Sequence, residues 1–201
     1  MIPVAPQPAP ADFDQKVGRP GLSWLAEQGI TRGPVASGLK WKTLWKTCLP
    51  QLQSAYAQIC AYSAILIDPV TGSASVEHFL PKKHYPQQAY TWSNYRLVCG
   101  RMNGRKGEHQ DVLDPFGLKP ASFLIDFSSG SLHPNPKLAE TEQRAVLTTI
   151  ARLQLNDGDC RALRCASFDA WRKGEISFTF LRKHSPFVAS EIQRQGLLTS
   201  P

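Results

Sequence analysis

The chain has 201 residues, 42% hydrophobic and 19% charged, with a net charge of +7. That balance belongs to a folded globular protein and excludes a disordered or low-complexity one. The wholly apolar runs, such as Ala64-Ile65-Leu66-Ile67, are far too short to span a bilayer, and no apolar stretch follows Met1 as in a signal peptide, so a cytoplasmic protein with no membrane partner is expected.

In chain order, residues 1–19 are expected to form an extended N-terminal arm, because the first ten include four prolines and carry no helical or strand pattern. Residues 20–59 form a helical segment. Pro20-Gly21 opens a short helix with Leu22, Trp24 and Leu25, ended by Gly29. Trp41, Leu44, Trp45, Cys48, Leu52, Ala55, Tyr56 and Ile59 then recur in steps of three and four, with Pro50 as a break or restart. Ala64–Ile67, the Pro69–Gly72 turn and Ser73–Val76 read as a hairpin that delivers Glu77 and His78. A loop with Pro81 and Pro86 follows, and a helix is expected from about Asn94 to Asn103. Phe123–Phe127 reads as a strand and Ser128-Ser129-Gly130 as its turn. Helices are expected over 140–155, 159–173, 175–183 and 186–195, the second capped from Asn156-Asp157-Gly158-Asp159. The five cysteines, an odd number in an intracellular chain, point to free thiols.

The charge is concentrated around Glu77 and His78. Between Glu77 and His109, Lys82, Lys83, Arg96, Arg101, Arg105 and Lys106 stand against Glu77 and Glu108, so this stretch carries +4 of the net +7. Beside an acid-histidine pair, such charge points to phosphate attraction and a nucleic-acid partner. Arg101 and Arg105, four apart on a helix, share a face that reaches phosphates, and Arg96 and Lys106 complete the expected nucleic-acid contacts. Trp92, Tyr90 and Tyr95 are expected to serve as core, Asp114 as a turn former, and His133 and His184 as structural residues. His84 and His109 are read as polar surface, His109 within reach of phosphate.

Phosphodiester hydrolysis needs an activated water, charge neutralisation at phosphorus and a stabilised leaving oxygen. A histidine can take the water's proton near neutral pH, which assigns His78 as base. A hard divalent cation can hold the phosphate and the leaving oxygen on as few as one carboxylate and one amide carbonyl, and Glu77 and Asn103 supply that pair. Asn94, between the two motifs, is suited to brace the loop behind the histidine.

The segment 60–107 resembles the HNH endonuclease (ββα-metal) superfamily. The phrases Cys60-Ala61-Tyr62, Glu77-His78-Phe79-Leu80-Pro81-Lys82, Tyr90-Thr91-Trp92-Ser93-Asn94-Tyr95-Arg96-Leu97, Asp114-Pro115-Phe116 and His184-Ser185-Pro186-Phe187-Val188-Ala189 resemble the HNH subunit of Septu-type and retron-associated anti-phage systems. The resemblance implies Glu77 and Asn103 as ligands of Mg2+ (or Mn2+), His78 as catalytic base, Asn94 as structural support and an ATPase partner subunit. Where relatives carry two Cys-x-x-Cys pairs for a structural zinc, this chain reads Cys60-Ala61-Tyr62-Ser63 and Cys99-Gly100-Arg101-Met102, so no structural zinc is expected and Cys60 and Cys99 should be buried. The expected fold is α+β, a ββα-metal HNH unit over 60–110 in a mostly helical single domain, with 111–201 mainly helical. The expected function is metal-dependent cleavage of nucleic acid, DNA favoured, in anti-phage defence. The alternatives are a non-catalytic subunit gating an ATPase and an RNase, for example one acting on tRNA.

Overall fold

The computed structural model describes residues 1–198, and the end of the 111–201 region, 199–201, lies outside the described residues. The fold is α+β, with helices and two small antiparallel sheets. The expectation of one domain divided consecutively along the chain meets two compact units whose segments interleave. One comprises Ala5–Gln58 and Ile67–Gln110, and the other Met1–Val4, Ile59–Leu66 and the chain from Asp111 onward. No helix of the described residues is long and apolar enough to cross a membrane.

In the unit built around 67–110, the N-terminal arm is ordered: Gln7 N–H donates to Tyr56 Oη, and Trp92 Nε1 donates to the Gln7 carbonyl. The arm is not extended throughout, because Asp14–Gly18 forms a π-helical turn leading straight into helix α1, Arg19–Glu27. Pro20 lies in the first turn of α1, where its missing N–H costs nothing. Gly21 packs so close to the Tyr90 ring that a Cβ would collide with it. The helical periodicity of residues 41–59 resolves into a 3-10 turn, Leu44–Cys48, and helix α2, Leu49–Ala55, in which Pro50 opens the helix rather than breaking one.

The sheet differs from the expected hairpin. Strand β1, Ala74–His78, pairs antiparallel with β2, Tyr95–Cys99, in a register that sets Glu77 opposite Arg96 and His78 opposite Tyr95. Residues 64–67 take no part in it, and Leu66 instead bridges Ile59. The expected helix over 94–103 is likewise corrected: residues 95–99 are β2, and helix α3 runs Gly100–Lys106. Gly107 ends α3 at φ +44° and ψ −126°, a conformation L side chains rarely adopt. Buried Trp45, Leu52, Val76, Tyr90, Tyr95, Leu97, Val98 and Met102 form the core under this ββα arrangement.

In the other unit, β3, Phe123–Asp126, and β4, Ser131–Pro134, form a hairpin beside α4, Glu140–Arg152, α5, Gly158–Arg172, α6, Phe178–His184, and α7, Pro186–Arg194. Helix starts follow from side chains that satisfy otherwise orphaned N–H groups. Asp157 accepts from Cys160 N–H and Ser177 from Phe180 N–H, while Glu142 accepts from Ala139 N–H. Asp114 forms the expected turn, accepting from Phe116 N–H at 3.0 Å. Val146, Ile150 and Leu153 recur at four and three residues and are buried with Phe123, Ile125, Leu181, Val188 and Ile192.

Candidate active site

Alternation along β1 distributes its side chains. Ser75 and Glu77 lie two apart on one face of the strand, and Asn103 and Lys106 lie three apart on one face of α3. These pairs meet: Asn103 Nδ2 donates to Ser75 Oγ at 2.6 Å, and Lys106 Nζ lies 3.2 Å from Glu77 Oε1. Lys106 also donates to the Phe79 carbonyl at 3.0 Å. Glu77 and Lys106 are both out of water, at 2% and 0% side-chain exposure. With its Nδ2 spent on Ser75, Asn103 keeps its amide oxygen as an acceptor.

His78 leaves the strand on the other side. Its Nε2 stands 3.0 Å from the Ala89 carbonyl, which also accepts from Tyr95 Oη at 2.8 Å. A carbonyl only accepts, so Nε2 carries the proton and Nδ1 the lone pair. The Trp45 and Tyr95 rings meet the imidazole edge-on at centroid distances of 4.7 and 5.2 Å. His78 borders a cavity shared with Glu77 and Asn103, and no hydrogen bond among the described residues occupies Nδ1. Burial, reinforced by the positive charges of Lys82 and Lys106, pushes the His78 pKa from 6.5 down to about 3 and keeps the ring neutral.

Asn94 closes the loop behind this histidine. Its Oδ1 accepts from Leu80 N–H at 2.8 Å, and its Nδ2 donates to the Leu80 and Gln88 carbonyls, each at 3.0 Å. Asn94 thus ties the start of the 79–94 loop to its end and does not line the cavity.

Glu77, His78 and Asn103 border one cavity of about 340 Å³, together with Trp45, Lys46, Ser75, Val76, Pro81, Lys82, Lys83, Gly107 and Glu108. At its rim Lys83 pairs with Glu108 at 3.2 Å, and His84 Nε2 lies 3.5 Å from the same carboxylate. Lys82 Nζ lies 5.9 Å from the Trp41 ring centroid and 5.6 Å from that of Trp45.

Two of the expected nucleic-acid contacts are corrected. Arg96 is buried in β2, donates to the Ser93 and Tyr95 carbonyls and lies over the Phe79 ring, and Lys106 is buried against Glu77. Both are buried, at 3% and 0% exposure, so neither presents its charge at the surface. Arg101 is exposed and Arg105 half-buried on α3. Tyr90, Trp92 and Tyr95 are core. None of the five cysteines is in a disulfide; Cys60 is buried, whereas Cys99 is only half-buried. His109 and His133 are exposed, and His184 stacks on Phe180 at 3.7 Å.

Sequence reasoning missed Trp45, Lys46, Ser75, Lys82 and the Ala89 carbonyl as parts of the site. Lys82 and Ser75 sit beside the motif residues and could have been nominated. Trp45 carries only a core-like apolar signal, and a backbone carbonyl carries none.

Could this donor set hold a divalent cation? One carboxylate and one amide oxygen border the same cavity, the hard-oxygen chemistry that magnesium takes while keeping most of its waters. The Lys106 ammonium meets the Glu77 carboxylate from the α3 side and balances its buried charge. Among the described residues no group of three or more His, Cys, Asp or Glu is placed to hold a metal ion, so a site here would rest on these two donors and water.

No protein-family model matches the chain. A segment of 56 residues is 39% identical to the Septu protein PtuB of Bacillus thuringiensis; the match takes in 28% of this chain. It spans 22% of that protein, about a fifth of its length.

Proposed function

We propose that the protein is a metal-dependent nuclease of the HNH type, hydrolysing phosphodiester bonds in nucleic acid, with DNA the favoured substrate. The observation that carries this reading is the meeting of Glu77, His78 and Asn103 at one cavity, with the imidazole fixed by the Ala89 carbonyl. The partial similarity to Septu protein PtuB supports a role in anti-phage defence, and an ATPase partner subunit is part of this proposal.

In this reading His78 acts through Nδ1. The Nε2–H bond to Ala89 fixes the ring's orientation and tautomer, and burial keeps it neutral and able to accept a proton from water. A substrate phosphate would offset the positive charges that help to depress the His78 pKa, making the ring a stronger base once substrate is bound. Glu77 and the Asn103 amide oxygen would hold Mg2+ or Mn2+, which when bound supplies Lewis-acid stabilisation of the phosphate and the leaving oxygen. Lys106 pairs with the Glu77 carboxylate and positions it, and the Ser75 hydroxyl orients the Asn103 amide. Asn94 holds the loop that presents the Ala89 carbonyl.

The test is nicking of supercoiled plasmid with and without Mg2+ or Mn2+, in the presence of the ATPase partner, using wild type and His78→Ala. Metal-dependent nicking that falls by at least about a hundredfold in the variant is expected, since general-base catalysis contributes roughly 10²–10⁴-fold. Equal inertness of both proteins while the partner still binds would overturn the reading in favour of a non-catalytic subunit. Parallel incubation with tRNA, single-stranded DNA and duplex DNA identifies the substrate.

A further inference from the structure

The cations around the cavity differ in what already holds them. Lys106 is taken by Glu77 and the Phe79 carbonyl, Lys83 by Glu108, and Arg96 by two backbone carbonyls. Lys82 is held differently, with the Glu108 and Glu77 carboxylates acting on it only from beyond ion-pair distance. Among the described residues its ammonium makes no ion pair or hydrogen bond and is held over the Trp41 and Trp45 rings, at 5.9 and 5.6 Å from their centroids. A ring face attracts a cation without carrying a counter-charge or accepting strong hydrogen bonds, so it fixes the ammonium while leaving its N–H donors for a ligand. Lys46, one residue after Trp45, lines the same cavity, is exposed, and is likewise without an ion pair among the described residues.

We propose that Lys82, held on the Trp41–Trp45 platform, and Lys46, on the same cavity wall, form a phosphate subsite that holds a backbone phosphodiester of a polynucleotide beside Glu77, His78 and Asn103. The proposal rests on the nuclease reading and deepens it. It moves the phosphate contacts from Arg96 and Lys106, which are buried, to a wall built in part by residues more than thirty positions upstream of the acid-histidine pair. The aromatic platform has a second consequence. The Lys82 stem loses little freedom when a phosphate arrives, because the rings already restrict it, so affinity gains from pre-organisation.

The experiment measures binding of a fluorescein-labelled oligonucleotide, as DNA and as RNA, to the full-length protein in EDTA, where metal-dependent hydrolysis does not run. Lys82→Met keeps the apolar stem over the tryptophans and removes the charge. It should weaken binding on the order of tenfold, as expected for one charge-assisted hydrogen bond of about 1.5 kcal/mol. It should also reduce the slope of log affinity against log salt by about one. Lys82→Arg should retain most of the affinity, and Lys46→Ala should lose less than Lys82→Met. Inorganic phosphate and a mononucleotide should compete only at far higher concentration than unlabelled strand. Wild-type affinity and salt slope in Lys82→Met, with unchanged circular dichroism, would overturn the subsite, as would a wild-type protein that binds no oligonucleotide. The two levels separate cleanly. Loss of binding in Lys82→Met together with a wild type that never nicks plasmid keeps the subsite and removes the nuclease. Nicking that depends on His78 but not on Lys82 does the reverse.

Discussion

Glu77 and Lys106 are an acid and a base that have both left water, and each makes the other tolerable there. Removing either one takes a counter-charge away from a buried charged group, which costs more than removing the two together. Glu77→Met and Lys106→Met should therefore each lower the unfolding free energy of the metal-free protein by about 3–5 kcal/mol, and the double variant by much less than their sum, as measured by urea denaturation. His78 gives a pH signature of opposite origin. Its pKa is near 6.5 in the unfolded chain and about 3 when folded, because burial excludes the charged ring. Between those values the unfolded state binds the extra proton, so the stability present above about pH 6.5 falls progressively as the pH drops toward about 3. Thermal unfolding of the metal-free protein across that window should show the decline, and His78→Gln should make it shallower. Residue type and order nominate Glu77, His78 and both asparagines. That Arg96 and Lys106 serve the interior was not legible in the sequence, because a basic residue reads as surface until its partners are known.

At the scale of elements, the ββα arrangement depends on a pairing between strands seventeen positions apart that local pattern does not reveal. The stretch from about Asn94 to Asn103 reads as helix, yet Tyr95, Leu97 and Cys99 alternate equally well as a strand. Pairing with Ala74–His78 decides between them. The 79–94 loop then becomes the critical connection, and Asn94 holds it. Asn94→Ala removes three hydrogen bonds and leaves groups of Leu80 and Gln88 without partners, so a loss of about 2–3 kcal/mol is expected on urea unfolding. The Leu80 amide should also exchange faster by hydrogen-exchange mass spectrometry. The longer helices were far more legible. In α4 and α5 the apolar spacing, the Asp157 cap and the basic last turn all agree, so propensity and packing give the same answer.

At the scale of the molecule, each unit has its own core and its own buried polar ties. In the C-terminal unit Arg164 donates to the Gly130 carbonyl at 2.6 Å and to the Leu155 carbonyl at 2.7 Å, joining the β3–β4 turn to the end of α4 and to α5. Glu191 accepts from Ile125 N–H at 2.9 Å and pairs with Arg194, tying α7 to β3. Arg164→Met keeps much of the volume but leaves two buried carbonyls unsatisfied. It should destabilise this unit by about 2–4 kcal/mol, read by differential scanning calorimetry, while oligonucleotide binding under native conditions is retained.

Residue types and their order were enough to assign an α+β chain and its C-terminal helices, and to nominate Glu77, His78, Asn94 and Asn103 as a candidate set, because capping, periodicity and the chemistry of an acid beside a histidine are local properties. Which cations are buried, which side chains fix the histidine and where the second strand lies were settled by packing. Trp45, Ala89 and Lys82 reach the site from separate stretches of chain, and burial alone determines whether a charge serves the fold or a substrate.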